Sequence, residues 1–227
     1  MSENLFSMRH IGVAIALFSS SFLPSAQAGT ITAATGFAGS PGLGTVSVPI
    51  FFTLNPANDN QTGGGAADNN IAVPFKVFDN NGYIDIEFTV TPDNGVTEYR
   101  VTESVDNNTG TLWSSYDMIL GYGVGAAFVP ATAGDGLDFD FNTFDTAPNS
   151  TAFTSVANGE KTLVYSGGVQ GSGAQTYQFR IDVPNIQGAG GLGRFTLRQL
   201  PTQVPEPGTI ALAGMALAGL ALGRLRK

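Results

Sequence analysis

The sequence predicts an all-β protein: an antiparallel β-sandwich of about eight or nine strands, set between an N-terminal signal peptide and a short C-terminal transmembrane helix. Three observations predict it. Apolar and polar residues alternate strictly over 83–90 and again over 176–183. Turn-forming residues recur between such runs, and no long stretch of helical period occurs before Thr209. Period two with one polar face marks a half-buried antiparallel strand.

The first 28 residues read as a signal peptide. Arg9 and His10 precede an apolar run from Ile11 to Phe18, which continues less strictly to Leu23 and is broken by Pro24. Ala26-Gln27-Ala28 then has the small-residue pattern of a signal peptidase site, which makes Gly29 the first mature residue.

Residues 29–203 read as one extracellular domain. Ile84, Ile86, Phe88 and Val90 share one face of the clearest strand, and Asp85, Glu87 and Thr89 share the other. Tyr177, Phe179, Ile181 and Val183 alternate with Thr176, Gln178, Arg180 and Asp182 in the same way. Further strands are expected over 45–54, 71–78, 96–105, 116–122, 161–165 and 194–200. Asn80-Asn81-Gly82 and Pro92-Asp93-Asn94-Gly95 read as tight hairpin turns, and residues 62–70, with three consecutive glycines, as a loop.

Charge narrows the function. Charged residues make up 12% of the chain, about half the usual share. Between Gly29 and Gln203 sixteen acidic residues face six basic ones. Such a surface repels phosphate backbones and argues against nucleic-acid binding. There is no cysteine, so neither disulfides nor thiolate chemistry arise. The only histidine, His10, lies in the leader, so a serine nucleophile in the mature chain has no imidazole base. A Ser–Lys pair would need Lys76 or Lys161, and no spacing pairs two carboxylates as glycoside hydrolysis requires. The expectation is a non-enzyme without a cofactor.

Three motifs invite chemistry. Gly188-Ala189-Gly190-Gly191-Leu192-Gly193 has dinucleotide-site spacing, but Arg194-Phe195-Thr196-Leu197 continues as strand where such a site needs a helix. Asp135-Gly136-Leu137-Asp138-Phe139-Asp140 is the best candidate for a ligand. A turn at Gly136 would gather Asp135, Asp138 and Asp140 as hard oxygens for calcium. In an extended segment, Asp138 and Asp140 instead face solvent while Leu137, Phe139 and Phe141 pack inward. Trp113, the only tryptophan, suits either a sugar-stacking platform or the core. Two glycosylation sequons, at Asn107 and Asn149, read as turns.

The C-terminus, residues 204–227, has three parts. Val204-Pro205-Glu206-Pro207-Gly208 leads into an uncharged run over 209–223 and then Arg224, Arg226 and Lys227. The run has fifteen residues, short against the ~20 that span a hydrocarbon core. The basic end stays cytoplasmic, which leaves the domain outside. This order resembles the PEP-CTERM sorting signal of Gram-negative bacteria. The resemblance implies recognition by an exosortase, a membrane transpeptidase, with cleavage near Pro205-Glu206-Pro207, in a bacterium that makes exopolysaccharide. A second, looser resemblance lies in the block Asp106-Asn107-Asn108-Thr109-Gly110, Trp113, Leu120-Gly121-Tyr122-Gly123, Phe128-Val129-Pro130 and 135–140. Its order resembles the choice-of-anchor F family of surface ectodomains, which implies a location and no reaction.

Together these readings lead to an exported cell-surface or extracellular-matrix protein. It is handled by signal peptidase and exosortase and held in the inner membrane through 209–223. Its expected role is structural or adhesive, with exopolysaccharide as a partner. A calcium- or carbohydrate-binding surface module is the first alternative, and a secreted hydrolase the second.

Overall fold

The computed structural model describes residues 29–47, 49–52, 69–92, 97–139, 147–186 and 193–205, together with Gly208 and Met215. Thirteen strands run through them: β1 (Gly29–Gly36), β2 (Leu43–Val46), β3 (Ile50–Phe52), β4 (Asn69–Phe78), β5 (Ile84–Pro92), β6 (Thr97–Asn107), β7 (Trp113–Tyr122), β8 (Val129–Pro130), β9 (Asn149–Ser150), β10 (Ser155–Gly159), β11 (Thr162–Ser166), β12 (Gly173–Val183) and β13 (Gly193–Gln203). They form two sheets. Sheet I has the order β1-β5-β13-β7-β11-β10, with β8 also on β7; sheet II has the order β2-β4-β6-β12-β9, with β3 also on β4. Every pairing is antiparallel except β4 with β6, which is parallel.

The all-β sandwich follows from the alternation. Ile84, Ile86, Phe88 and Val90 of β5 and Tyr177, Phe179, Ile181 and Val183 of β12 are all buried. The sheets meet through rings. Phe78 of β4 stands edge-on to Trp113 of β7 with centroids 5.1 Å apart, and Tyr177 of β12 meets Tyr116 of β7 at 4.7 Å and Tyr165 of β11 at 5.0 Å. Such aromatic pairs add to the large area they bury. Trp113 is fully buried and stacks on Tyr116, so it is a core residue and offers no face to a sugar.

Two turns differ from expectation. Asn80-Asn81-Gly82 links β4 to β5, and 93–96 link β5 to β6, yet in both cases the strands joined lie in different sheets. Neither is a hairpin. Each joined strand carries a full apolar face, and two such faces are buried by packing against each other across the sandwich, not by pairing edge to edge. Gly82 has φ +146°, and a Cβ there would lie 2.9 Å from the Pro41 ring, so the crossover needs glycine. Residues 62–68 of the expected loop lie outside the described residues, and its last two, Asn69 and Asn70, begin β4. The strand expected over 45–54 is two strands, β2 and β3.

A bulge in β4 changes what the core contains. Unbroken alternation from Ile71 and Val73 would bury Phe75 and expose Lys76. The register shifts between Val73 and Lys76, at Pro74 and Phe75. Phe75 is therefore exposed and Lys76 is fully buried. An extra residue in one strand reverses the facing of everything after it. Inside, Lys76 Nζ meets Glu103 Oε2 of β6 at 2.7 Å and also donates to Gln199 Oε1 of β13.

Asp85 departs from its expected solvent face. It is fully buried because the segment after β7 folds over it. Arg198 of β13 grips Asp85 with two bonds, Nε to Oδ1 at 2.7 Å and Nη2 to Oδ2 at 2.8 Å. The guanidinium also donates to Gly125 O, and its plane lies 3.8 Å from the Tyr83 ring centroid and 4.0 Å from that of Phe128. Gly125 N–H donates to Asp85 Oδ2 at 2.7 Å, which ties the overlying turn to the sheet.

Candidate functional site

The acidic loop after β8 is built around Asp135. Gly134 and Gly136 flank it with φ of +84° and +80°, conformations that glycine adopts without strain. The resulting turn wraps backbone donors onto the carboxylate. Thr132 N–H donates to Oδ2 at 3.0 Å, Leu137 N–H to Oδ1 at 3.1 Å and Tyr122 Oη to Oδ2 at 3.1 Å. Lys161, in the two-residue turn between β10 and β11, reaches Asp135 Oδ1 at 3.0 Å and Leu137 O at 2.6 Å. Its Nζ also lies 3.1 Å from Glu160 Oε1 and 4.0 Å from Asp138 Oδ2.

Both sequence readings of this loop contribute. The chain does turn at Gly136, and it then runs extended. Asp138 makes an antiparallel bridge to Asp182 of β12, while Leu137 and Phe139 pack inward, Phe139 edge-on to Phe179 at 5.8 Å. Asp135 and Asp138 thus face one cation, the Lys161 ammonium, and Asp140 lies outside the described residues. Among the described residues no group of three or more His, Cys, Asp or Glu could hold a metal ion. Lys161 was missed as the partner because it comes from a distant turn, with no local spacing to announce it.

Partial burial pushes the Asp135 carboxyl up, but the bonds from Lys161, Leu137 and Thr132 outweigh it and hold the group below 3.8. Burial likewise pulls Lys161 down, and its bonds to Asp135 and Glu160 reverse this and raise it above 10.5. A lowered acid stabilises the fold above its unfolded value and loses that contribution as pH falls through its folded value. A raised lysine contributes below 10.5 and loses that contribution as pH rises through its folded value. The pair therefore acts fully at neutral pH. Asp135→Asn is expected to cost about 1–2 kcal/mol at pH 7. Urea unfolding should show that difference shrinking once pH drops below 3.8. A difference that stays constant into acid would contradict the ion pair.

An open groove lies beside β9 and β10, lined by Pro148, Asn149, Ser150, Phe153, Val156 and their neighbours. No acidic side chain lines it among the described residues. The glycine-rich stretch over 188–193 leads into β13, so strand and not helix follows it. Asn107 of the first sequon is buried and caps its own turn: its Oδ1 accepts from Thr109 N–H at 3.1 Å.

The sorting segment begins where the sandwich stops. β13 ends at Gln203, and Val204 N–H donates to Leu112 O at 2.8 Å, a last bond to the domain. Pro205, the next residue, is exposed. Glu206 and Pro207 lie outside the described residues, as do 209–227 apart from Met215. No helix among the described residues is long and apolar enough to cross a membrane. The expected signal peptide, with Ala26 and Ala28, also lies outside them.

Fold and tail together define an all-β domain carried on a C-terminal sorting segment. Residues 203–227 match the model of the PEP-CTERM protein-sorting motif. The motif marks an exported protein that an exosortase sorts and that is anchored in the membrane of a Gram-negative bacterium. No curated protein and no solved structure matches the chain.

Proposed function

We propose that the β-sandwich is a structural or adhesive component of the cell surface and its extracellular matrix, released to that place by exosortase cleavage at the tag. The direct passage from β13 to Pro205 carries this reading, because it makes the whole folded domain the cargo of the sorting motif. The acidic surface keeps such a cargo soluble outside the cell. Deleting the gene should reduce the exopolysaccharide retained by the cells. The parent chain should restore it, and a chain lacking 209–227 should not. Retention unchanged by deletion would overturn the matrix role.

A calcium-binding role for Asp135, Asp138 and Asp140 stands behind this one, because a calcium ion there must displace the Lys161 ammonium. It requires that millimolar calcium raise the melting temperature and that Asp138→Asn with Asp140→Asn abolish the rise.

A further inference from the structure

Lys76, Glu103 and Gln199 form a buried triad that neither the sorting motif nor the acidic loop uses. All three are fully buried or nearly so, Lys76 and Glu103 from sheet II and Gln199 from sheet I. Parity puts Glu103 inward between Val101 and Val105, and Gln199 inward two residues after Leu197. Only the β4 bulge brings Lys76 to them. The Lys76 amine contacts the oxygen of the Gln199 amide. Glu103 touches both nitrogens of the pair: Oε2 lies 2.7 Å from Lys76 Nζ, and Gln199 Nε2 donates to Oε1 at 2.8 Å and to Oε2 at 2.9 Å.

We propose that Lys76 and Gln199 become joined by an intramolecular isopeptide bond, with Glu103 as the catalytic residue. Glu103 takes one proton from the Lys76 ammonium and leaves a neutral amine. The amine nitrogen attacks Cδ of Gln199, which forms the Nζ–Cδ bond. Glu103 then passes a proton from Nζ to Nε2, the Cδ–Nε2 bond breaks, and ammonia leaves. Of the five protons that began on the two nitrogens, one stays on the new amide, three leave with ammonia, and one remains on Glu103 as a neutral carboxyl. Nothing is oxidised or reduced, and no water or co-reactant enters.

The surroundings favour each step. The reacting groups are already in contact, so the reaction needs no encounter. Burial draws Lys76 down to about 8 against the pull of the Glu103 charge. That shift favours the neutral, nucleophilic amine. All three side chains are buried from solvent, which disfavours hydrolysis of the amide as a competing outcome. Lys76 Nζ lies 5.7 Å from the Tyr116 ring centroid, and Tyr116 Oη is buried with no hydrogen-bond partner among the described residues. The product exchanges a buried ammonium and carboxylate for a neutral amide and a neutral acid, which removes the desolvation penalty of two charges.

The bond would tie β13 to β4 across 123 residues of chain. β13 runs directly into the sorting segment, so a pull on the C-terminal tether enters the domain through that strand. A covalent tie at Gln199 would hold β13 against that pull. The inference concerns the interior alone and stands apart from whatever the surface binds.

The test is peptide mass spectrometry of the full-length chain, purified in detergent, denatured and digested. The expected product is a branched peptide that joins the Lys76 segment to the Gln199 segment and is lighter than their sum by one ammonia. Gln199→Met leaves the Lys76–Glu103 pair in place and removes the acyl group together with the amide's hydrogen bonds to Glu103, and circular dichroism of that variant separates loss of the bond from loss of the fold. That variant and Glu103→Gln should both yield unbranched peptides. The melting temperature of the Gln199→Met protein should fall by on the order of 10 °C. Separate peptides from the parent, with the Lys76 amine open to acetylation after unfolding, would overturn the bond. Branching at the parental rate in Glu103→Gln would overturn the role of Glu103.

Discussion

Glu206→Ala leaves the chain at full length in the inner membrane while the β-sandwich folds as before. Two prolines flank Glu206. Each fixes its own φ and biases the residue before it toward an extended conformation, so the motif is expected to be a stiff peptide. Glu206 is the only ionised side chain in the Val204-Pro205-Glu206-Pro207-Gly208 motif, and so the one charge a membrane transpeptidase would read there. Gln203 is the last strand residue and, among the described residues, Val204 makes the last bond to the domain, so the sheets are complete before Glu206 and the fold is expected to survive the change. Processing should fall below detection, and circular dichroism of the retained protein should match the parent. Deleting 209–227 should have a different result, release of the domain without surface sorting, because the motif is then no longer held at the membrane. Efficient display of Glu206→Ala would mean that the segment acts only as an anchor.

Arg198→Met should destabilise the fold strongly. It leaves the fully buried Asp85 carboxylate facing the Gly125 N–H without its cation. Removing one partner of a buried pair costs about 3–5 kcal/mol, because the other charge stays desolvated. Part of the loss is packing, since the guanidinium fills the space between Tyr83 and Phe128. Arg198→Lys should recover little, because an ammonium cannot make the two-pronged contact with Asp85 or stack between rings. Asp85→Leu with Arg198→Leu should recover most of it. Denaturant unfolding of the four proteins at pH 7 checks this. A loss under 1 kcal/mol for Arg198→Met would show that the pair is screened by water.

The long central strands were legible because period two is local and each buries one face. Ile84 through Val90 and Tyr177 through Val183 needed no knowledge of their neighbours. The edges were not. β1 holds a single large apolar residue, Ile31, and most of β10 is exposed, so neither shows an alternation to detect. Sheet membership was also hidden. Asn80-Asn81-Gly82 turns the chain either within a sheet or between sheets, and the choice depends on which faces must meet. Asp85 looked like a solvent residue because its cover comes from residues 123–128, nearly forty positions away. Unbroken alternation from Ile71 would place Lys76 on the surface, and the bulge at Pro74 and Phe75 reverses it. Proline inside an otherwise regular strand was the one local hint of that reversal. The sorting motif was fully legible, since it is contiguous and is read by an enzyme as sequence. The acidic loop was half legible: Gly136 announced the turn, and nothing near it announced Lys161.

The most direct measurement is mass spectrometry of the mature protein's two ends, from the host with and without its exosortase. With the enzyme, the surface fraction should hold a chain that begins at Gly29 and ends near Pro205-Glu206-Pro207. Without it, the chain should remain in the inner membrane with Arg224, Arg226 and Lys227 still attached. A surface fraction that carries those three basic residues in both strains would contradict sorting by an exosortase.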